Sequence, residues 1–68
     1  MIEEAQRFGQ FLRYERTSRG MTRKEVAELA GIHPKMLTDY EQARHLPRLE
    51  TAIKLAGIFG KTIEDVMK

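Results

Sequence analysis

The stretch from Thr22 to Glu41, TRKEVAELAGIHPKMLTDYE, leaves a chain of this kind few ways to fold. Its spacing predicts two short helices joined by a tight turn. Thr22 followed three residues later by Glu25 is the pattern of a capping box, in which hydroxyl and carboxylate satisfy each other's backbone N–H. Val26, Ala27 and Ala30 then share one helical face. Gly31 stands where that helix has to stop, because a left-handed conformation costs glycine little. Ile32 is apolar inside the turn and is expected to fill the angle between the helices. Pro34 suits the first position of the second helix, where its missing N–H has no helical partner in any case.

At 100° per residue, the second helix places Leu37, Tyr40 and Glu41 on one side and Lys35, Thr38, Asp39 and Gln42 on the other. Met36 and Pro34 fall on the flanks. Leu37 and Tyr40 are enough to pin so short a helix to a core, and the opposite face is short, polar and able to hydrogen-bond. A supporting helix, a glycine turn and an outward reading helix make up a helix-turn-helix. Thr22, Val26, Ala27, Ala30, Gly31, Ile32, Leu37, Tyr40 and Glu41 resemble that motif in the Cro/CI-type (XRE) regulators of phage and bacteria. The resemblance extends to Phe8-Gly9, Leu12, Arg16, Gly20 and Met21 in a first helix. It continues through Pro47, Leu49, Glu50 and Thr51 in a fourth, and Gly60, Thr62, Ile63 and Val66 in a last one, so it spans residues 8 to about 66.

The resemblance implies a compact, all-α, five-helix lambda-repressor-like domain that binds double-stranded DNA sequence-specifically, as a transcriptional regulator and repressor. It also implies an internal ion pair between Arg16 and Glu41, both of which face inward by their spacing. A homodimer is expected, with Ile58, Phe59, Lys61 and Met67 as interface candidates that could equally belong to the core. The chain departs from the family pattern at Arg23, where glutamine is common, and at His33, where serine usually caps the reading helix. Ala43 replaces a glycine, and Leu46 a polar residue.

Sixty-eight residues are expected to form one small domain, residues 1–68, with a thin core and the motif at about residues 22–42. Without cysteine, neither disulfides nor thiolate metal sites can reinforce it. No apolar run approaches the ~18 residues of a membrane span, and nothing resembles a signal peptide, so a cytoplasmic protein is expected. The formal net charge is +2, from twelve basic and ten acidic residues. Glu3, Glu4, Glu64 and Asp65 lie near the ends. Between Arg19 and Arg48 there are six basic and four acidic residues, of which Glu41 is expected inside and Glu25 in a cap. The working surface is thus expected to be more basic than the total.

Along the chain, residues 1–4 are read as a frayed start. Helix 1 is expected from about Ala5 to Ser18, with Phe8, Leu12 and Glu15 or Arg16 inward. Gly9 either permits a close helix approach or is merely tolerated. Helix 4 is expected from Leu49 to Phe59, turning Leu49, Ala52, Ile53, Ala56 and Phe59 inward. Gly60 stops it, Thr62 and Asp65 offer a weaker capping box, and Ile63, Val66 and Met67 close the core. No strand is expected.

Phosphate contacts set a protein's register on DNA, whereas base contacts carry sequence information. The phosphate candidates are Arg23, Gln42, Arg44, His45 and Arg48, with backbone N–H groups at the helix starts. The base-edge candidates are Lys35, Met36, Thr38 and Asp39, with Pro34 in van der Waals contact. Lysine donates to guanine O6 and N7, threonine donates, accepts or touches a thymine methyl, and aspartate accepts from cytosine N4. Asp39 has two other readings: it repels DNA, or it pairs with Lys35. The rival function is a protein-interaction module or an antitoxin-like partner-binding protein on the same fold, with Pro34, Met36 and Leu46 as contact residues. No metal or cofactor is expected, since His33 and His45 lack companions at ligand spacing. No nucleophile stands with a plausible base, so no enzymatic activity is expected.

Overall fold

The computed structural model describes residues 3–67. Five helices follow one another: α1 (Glu3–Ser18), α2 (Arg23–Ala30), α3 (Pro34–Glu41), α4 (Leu49–Ile58) and α5 (Ile63–Met67), with no strand among the described residues. Helix α1 packs on α3 and α5, α2 on α3 and α4, and α4 on α5. The buried core is built from Phe8, Leu12, Val26, Ala27, Ala30, Leu37, Tyr40, Ala52, Leu55, Ala56, Phe59 and Val66. Helices α1 to α4 each give it a narrow apolar stripe, and α5 adds Val66.

Helix α1 begins two residues before the expected Ala5, inside the stretch read as a frayed start. Glu3 and Glu4 lie in its first turn, where carboxylates favour the partial positive charge of a helix start; Met1 and Ile2 lie outside the described residues. Helix α4 ends at Ile58 and turns differently from expectation. Leu49 and Ile53 are exposed, and Leu55 is fully buried in their place. The buried stripe is Ala52, Leu55, Ala56 and Phe59. At 100° per residue its centre lies roughly 70° from Leu49 and roughly 110° from Ile53. Phe59, an interface candidate, is a core residue, edge-on to Phe11 with ring centroids 6.1 Å apart and beneath the Arg19 guanidinium at 5.1 Å.

Gly9 is buried where α1 crosses the end of α3. A Cβ built there would lie 2.6 Å from the Tyr40 carbonyl oxygen and 2.8 Å from that of Glu41. The two backbones thus meet with no room for a side chain.

Four helix ends share one closure, in which the residue after the cap turns left-handed and two N–H groups reach back to the last turn. After α2 these bonds run from Gly31 N to Glu28 O (3.2 Å) and from Ile32 N to Ala27 O (3.0 Å), with Gly31 at φ +69°. Ile32 packs against the core from this turn. Helices α1 and α4 close in the same way, on Gly20 and Gly60. Helix α3 closes without glycine. Ala43 N donates to Tyr40 O (3.1 Å) and Arg44 N to Asp39 O (2.9 Å), with Ala43 itself at φ +62°.

These two backbone positions predict opposite signs. Gly9→Ala should destabilise the domain by about 1–3 kcal/mol through overpacking, although helix propensity alone favours alanine by about 1 kcal/mol. Ala43→Gly should stabilise it by about 1 kcal/mol, because alanine carries a steric cost in the left-handed region. Urea unfolding of both variants checks the pair.

Candidate nucleic-acid interface

The capping box at the start of α2 is formed: Glu25 N donates to Thr22 Oγ1 (3.1 Å) and Thr22 N to Glu25 Oε1 (2.8 Å). His33 caps α3, its Nδ1 accepting from Lys35 N at 3.0 Å, so the imidazole does the work usual for a serine here. Thr62 and Asp65 form a capping box before α5.

Leu37 and Tyr40 bury the inner face of α3. The Glu41 side chain is only 1% exposed. Arg16 grips it in two-pronged fashion, with Nε 2.7 Å from Oε2 and Nη2 3.1 Å from Oε1. The remaining Arg16 nitrogen, Nη1, donates to Met21 O at 3.0 Å. Such charge-assisted pairs are short and directional. Removing either partner would strand a buried charge at a cost of roughly 3–5 kcal/mol. Arg23 Nε also reaches Glu41 Oε1, at 3.0 Å. The carboxylate therefore faces two guanidinium groups, and the cluster is positive by one charge.

Outside, Lys35, Met36 and Gln42 are exposed. Thr38 is half-buried and donates its hydroxyl proton to Pro34 O at 3.1 Å, which leaves its oxygen to accept and its methyl to make contact. Asp39 accepts from Arg44 Nη1 at 2.9 Å on Oδ1, and Lys35 Nζ lies 3.6 Å from Oδ2. The Arg44 hydrogen bond, then the charges of Lys35, Arg44 and His45, outweigh partial burial and hold the Asp39 carboxyl below the usual carboxylate range. Lysine pairing was one of the readings open for Asp39. The Arg44 contact is not among them: the glycine that the family pattern has at position 43 is the one signal for a left-handed residue there, and alanine hides it.

A surface cleft of about 510 Å³ gathers part of the candidate set. Met36 and Asp39 line it from α3, and His45 and Arg48 from the loop and the start of α4. Arg48 has no side-chain partner among the described residues, and no side chain caps α4. The first N–H groups of that helix therefore open beside an unpaired cation. Arg23 does not line the cleft and is held by Glu41, while Lys35 and Arg44 flank Asp39. No group of acidic, histidine or cysteine residues able to hold a metal occurs among the described residues, and none of their helices is long and apolar enough to cross a membrane.

A capped supporting helix, a left-handed glycine turn and a second helix buried on one face and polar on the other define a helix-turn-helix domain. The helix-turn-helix family model matches residues 12–66, and the chain belongs to that family. It is 39% identical over 57 residues to the HTH-type transcriptional regulator DdrOP3 of Deinococcus deserti, covering 84% of this chain and 44% of that protein. The chain thus spans less than half the length of that relative. HTH-type transcriptional regulators of Methanocaldococcus jannaschii and Archaeoglobus fulgidus are 31% and 33% identical over 55 residues, 81% of this chain and 83% and 79% of theirs. Among solved structures, the clp gene regulator ClgR of Corynebacterium glutamicum superposes with a TM-score of 0.87 at 26% identity, over 94% of this chain and 68% of that one.

The Asp39 geometry predicts a titration. Its carboxyl is more acidic folded than unfolded, so the stability it adds is present above the ordinary carboxylate range and lost as pH falls through the lowered value. Arg44→Ala should move the Asp39 midpoint upward, as read by carboxyl-carbon NMR. An unchanged midpoint would mean that Arg44 does not set it.

Proposed function

We infer that this chain regulates transcription by occupying double-stranded DNA, with α3 in the major groove. The observation that carries the reading is the two-sidedness of α3. Leu37, Tyr40 and the Glu41 carboxylate fix its inner face, while Lys35, Met36, Thr38 and Gln42 stand outward. Lys35 is the chief base reader, donating to guanine O6 and N7; Thr38 and Met36 add acceptor and apolar contacts, and Pro34 packs at the helix start. Arg48, His45 and the uncapped start of α4 take phosphate from one side of the groove. Arg23, oriented by Glu41, takes it from another, with Gln42 and Arg44 between.

A single eight-residue reading helix touches few bases. Selectivity then calls for two copies on half-sites about 34 Å apart, and the protein acts as a homodimeric repressor in the cytoplasm. Ile58, Lys61 and Met67 remain interface candidates. The domain is non-catalytic and needs no cofactor. The exposed Met36 and Leu46 beside the cleft favour one second reading, a protein partner on the same face.

Titration into pooled random duplex at about 50 and 200 mM salt, with sequencing of the retained duplexes, tests the reading. Lys35→Ala should weaken binding to the selected duplex more than to the random pool. Arg48→Ala should weaken both alike and flatten the salt dependence by about one unit. A folded domain that retains no duplex at the lower salt would leave the protein-partner reading in its place.

A further inference from the structure

Asp39 is a carboxylate on the outward side of α3, where a helix seated among phosphates has least use for one. Its surroundings are ordered by the end of that helix. The Arg44 N–H bonds to the Asp39 carbonyl through left-handed Ala43. This closure brings the Arg44 side chain back onto Oδ1, while Lys35, one turn earlier, faces Oδ2. Each carboxylate oxygen thus has its own cation. The Asp39 side chain is 13% exposed, whereas those of Lys35 and Arg44 are 75% and 60% exposed. The cations form an outer layer over an inner negative charge.

Exposed ion pairs of this kind add little to folding stability, so stability does not account for the arrangement. Its consequence lies in binding. Any duplex offers phosphates, and their attraction supplies nearly all non-specific affinity. A cation already facing a carboxylate attracts phosphate less, and the carboxylate itself repels it. That penalty falls on every duplex. It is offset only where a base edge gives the carboxylate a donor of its own, as a cytosine amino group does, while Lys35 turns to guanine.

We propose that Asp39 is a specificity-determining residue, which holds Lys35 and Arg44 on its carboxylate and so suppresses binding to duplexes that do not fit α3. This rests on the DNA-binding reading above. Asp39→Asn preserves the backbone carbonyl that closes α3 and the size of the side chain, and circular dichroism checks that the variant remains helical.

The test compares wild type and Asp39→Asn on the random duplex pool and on the duplex selected from it. Asp39→Asn should bind the random pool roughly three- to tenfold more tightly, with a salt dependence steeper by about one unit. The selected duplex should gain less or lose, so that discrimination falls. In an Arg44→Ala background the gain on random duplex should shrink, because one of the two released cations is gone. An equal gain on both duplexes, no gain on the random pool, or an undiminished gain without Arg44 would each overturn the proposal. Wild-type protein that binds no duplex, or selects none, overturns the DNA-binding reading and this proposal together. Wild-type binding and selection with an unresponsive Asp39→Asn overturn this proposal alone.

Discussion

The Glu41 carboxylate lies between two guanidinium groups, and its removal from water is tolerable only because both are there. Arg16 comes from α1 and also holds the Met21 carbonyl, so one side chain joins the first helix, the turn after it and the last residue of α3. Arg23 comes from the start of α2 and completes the ring. A few ångströms away Gly9 lets the α1 backbone meet the Tyr40 and Glu41 carbonyls. Polar clamp and bare backbone contact act on the same end of α3. Together they fix the depth and direction of α3 on the domain.

The other end of α3 is fixed by local means. Gly31 turns the chain, Ile32 anchors the turn in the core, and His33 and Pro34 start the helix without an unmet N–H. The turn from α2 into α3 therefore depends on residues within a few positions of one another. The angle between α3 and α1 depends on Arg16, twenty-five residues from Glu41. Sequence-near signals shape the motif, and a sequence-far ion pair seats it on the rest of the domain.

This division explains what was legible in the sequence. The capping box, Gly31, Pro34 and the inward Leu37 and Tyr40 are local patterns, and each has a physical reason that needs no knowledge of the remaining chain. Helix α4 is different. Leu49, Ala52, Ile53, Ala56 and Phe59 make as good a helical stripe as the observed Ala52, Leu55, Ala56 and Phe59. The choice between them is made by where α2 and α5 lie, which periodicity alone does not specify. Asp39 fails to read for another reason. Its arginine partner comes close because Ala43 is left-handed, and the sign of that is indirect: the family pattern has a glycine at this position, whereas alanine itself does not announce the conformation. Arg23 was legible as a surface cation, but its hold on Glu41 depends on how α2 and α3 pack.

Helix α3 has eight residues, fewer than the ~12–15 that give an isolated helix even marginal persistence in water. The outward array of Lys35, Thr38 and Asp39 therefore has no existence apart from the folded domain. Whatever loosens the Glu41 clamp melts the reading surface along with the core. The converse holds by mass action: a duplex that engages only the folded form draws the chain toward it, by RT ln(1 + [DNA]/Kd). For a domain with so thin a core, an occupied operator would act as a heat stabiliser. The bound and free pools of such a regulator would then differ in their lifetimes against proteolysis as well as in their location.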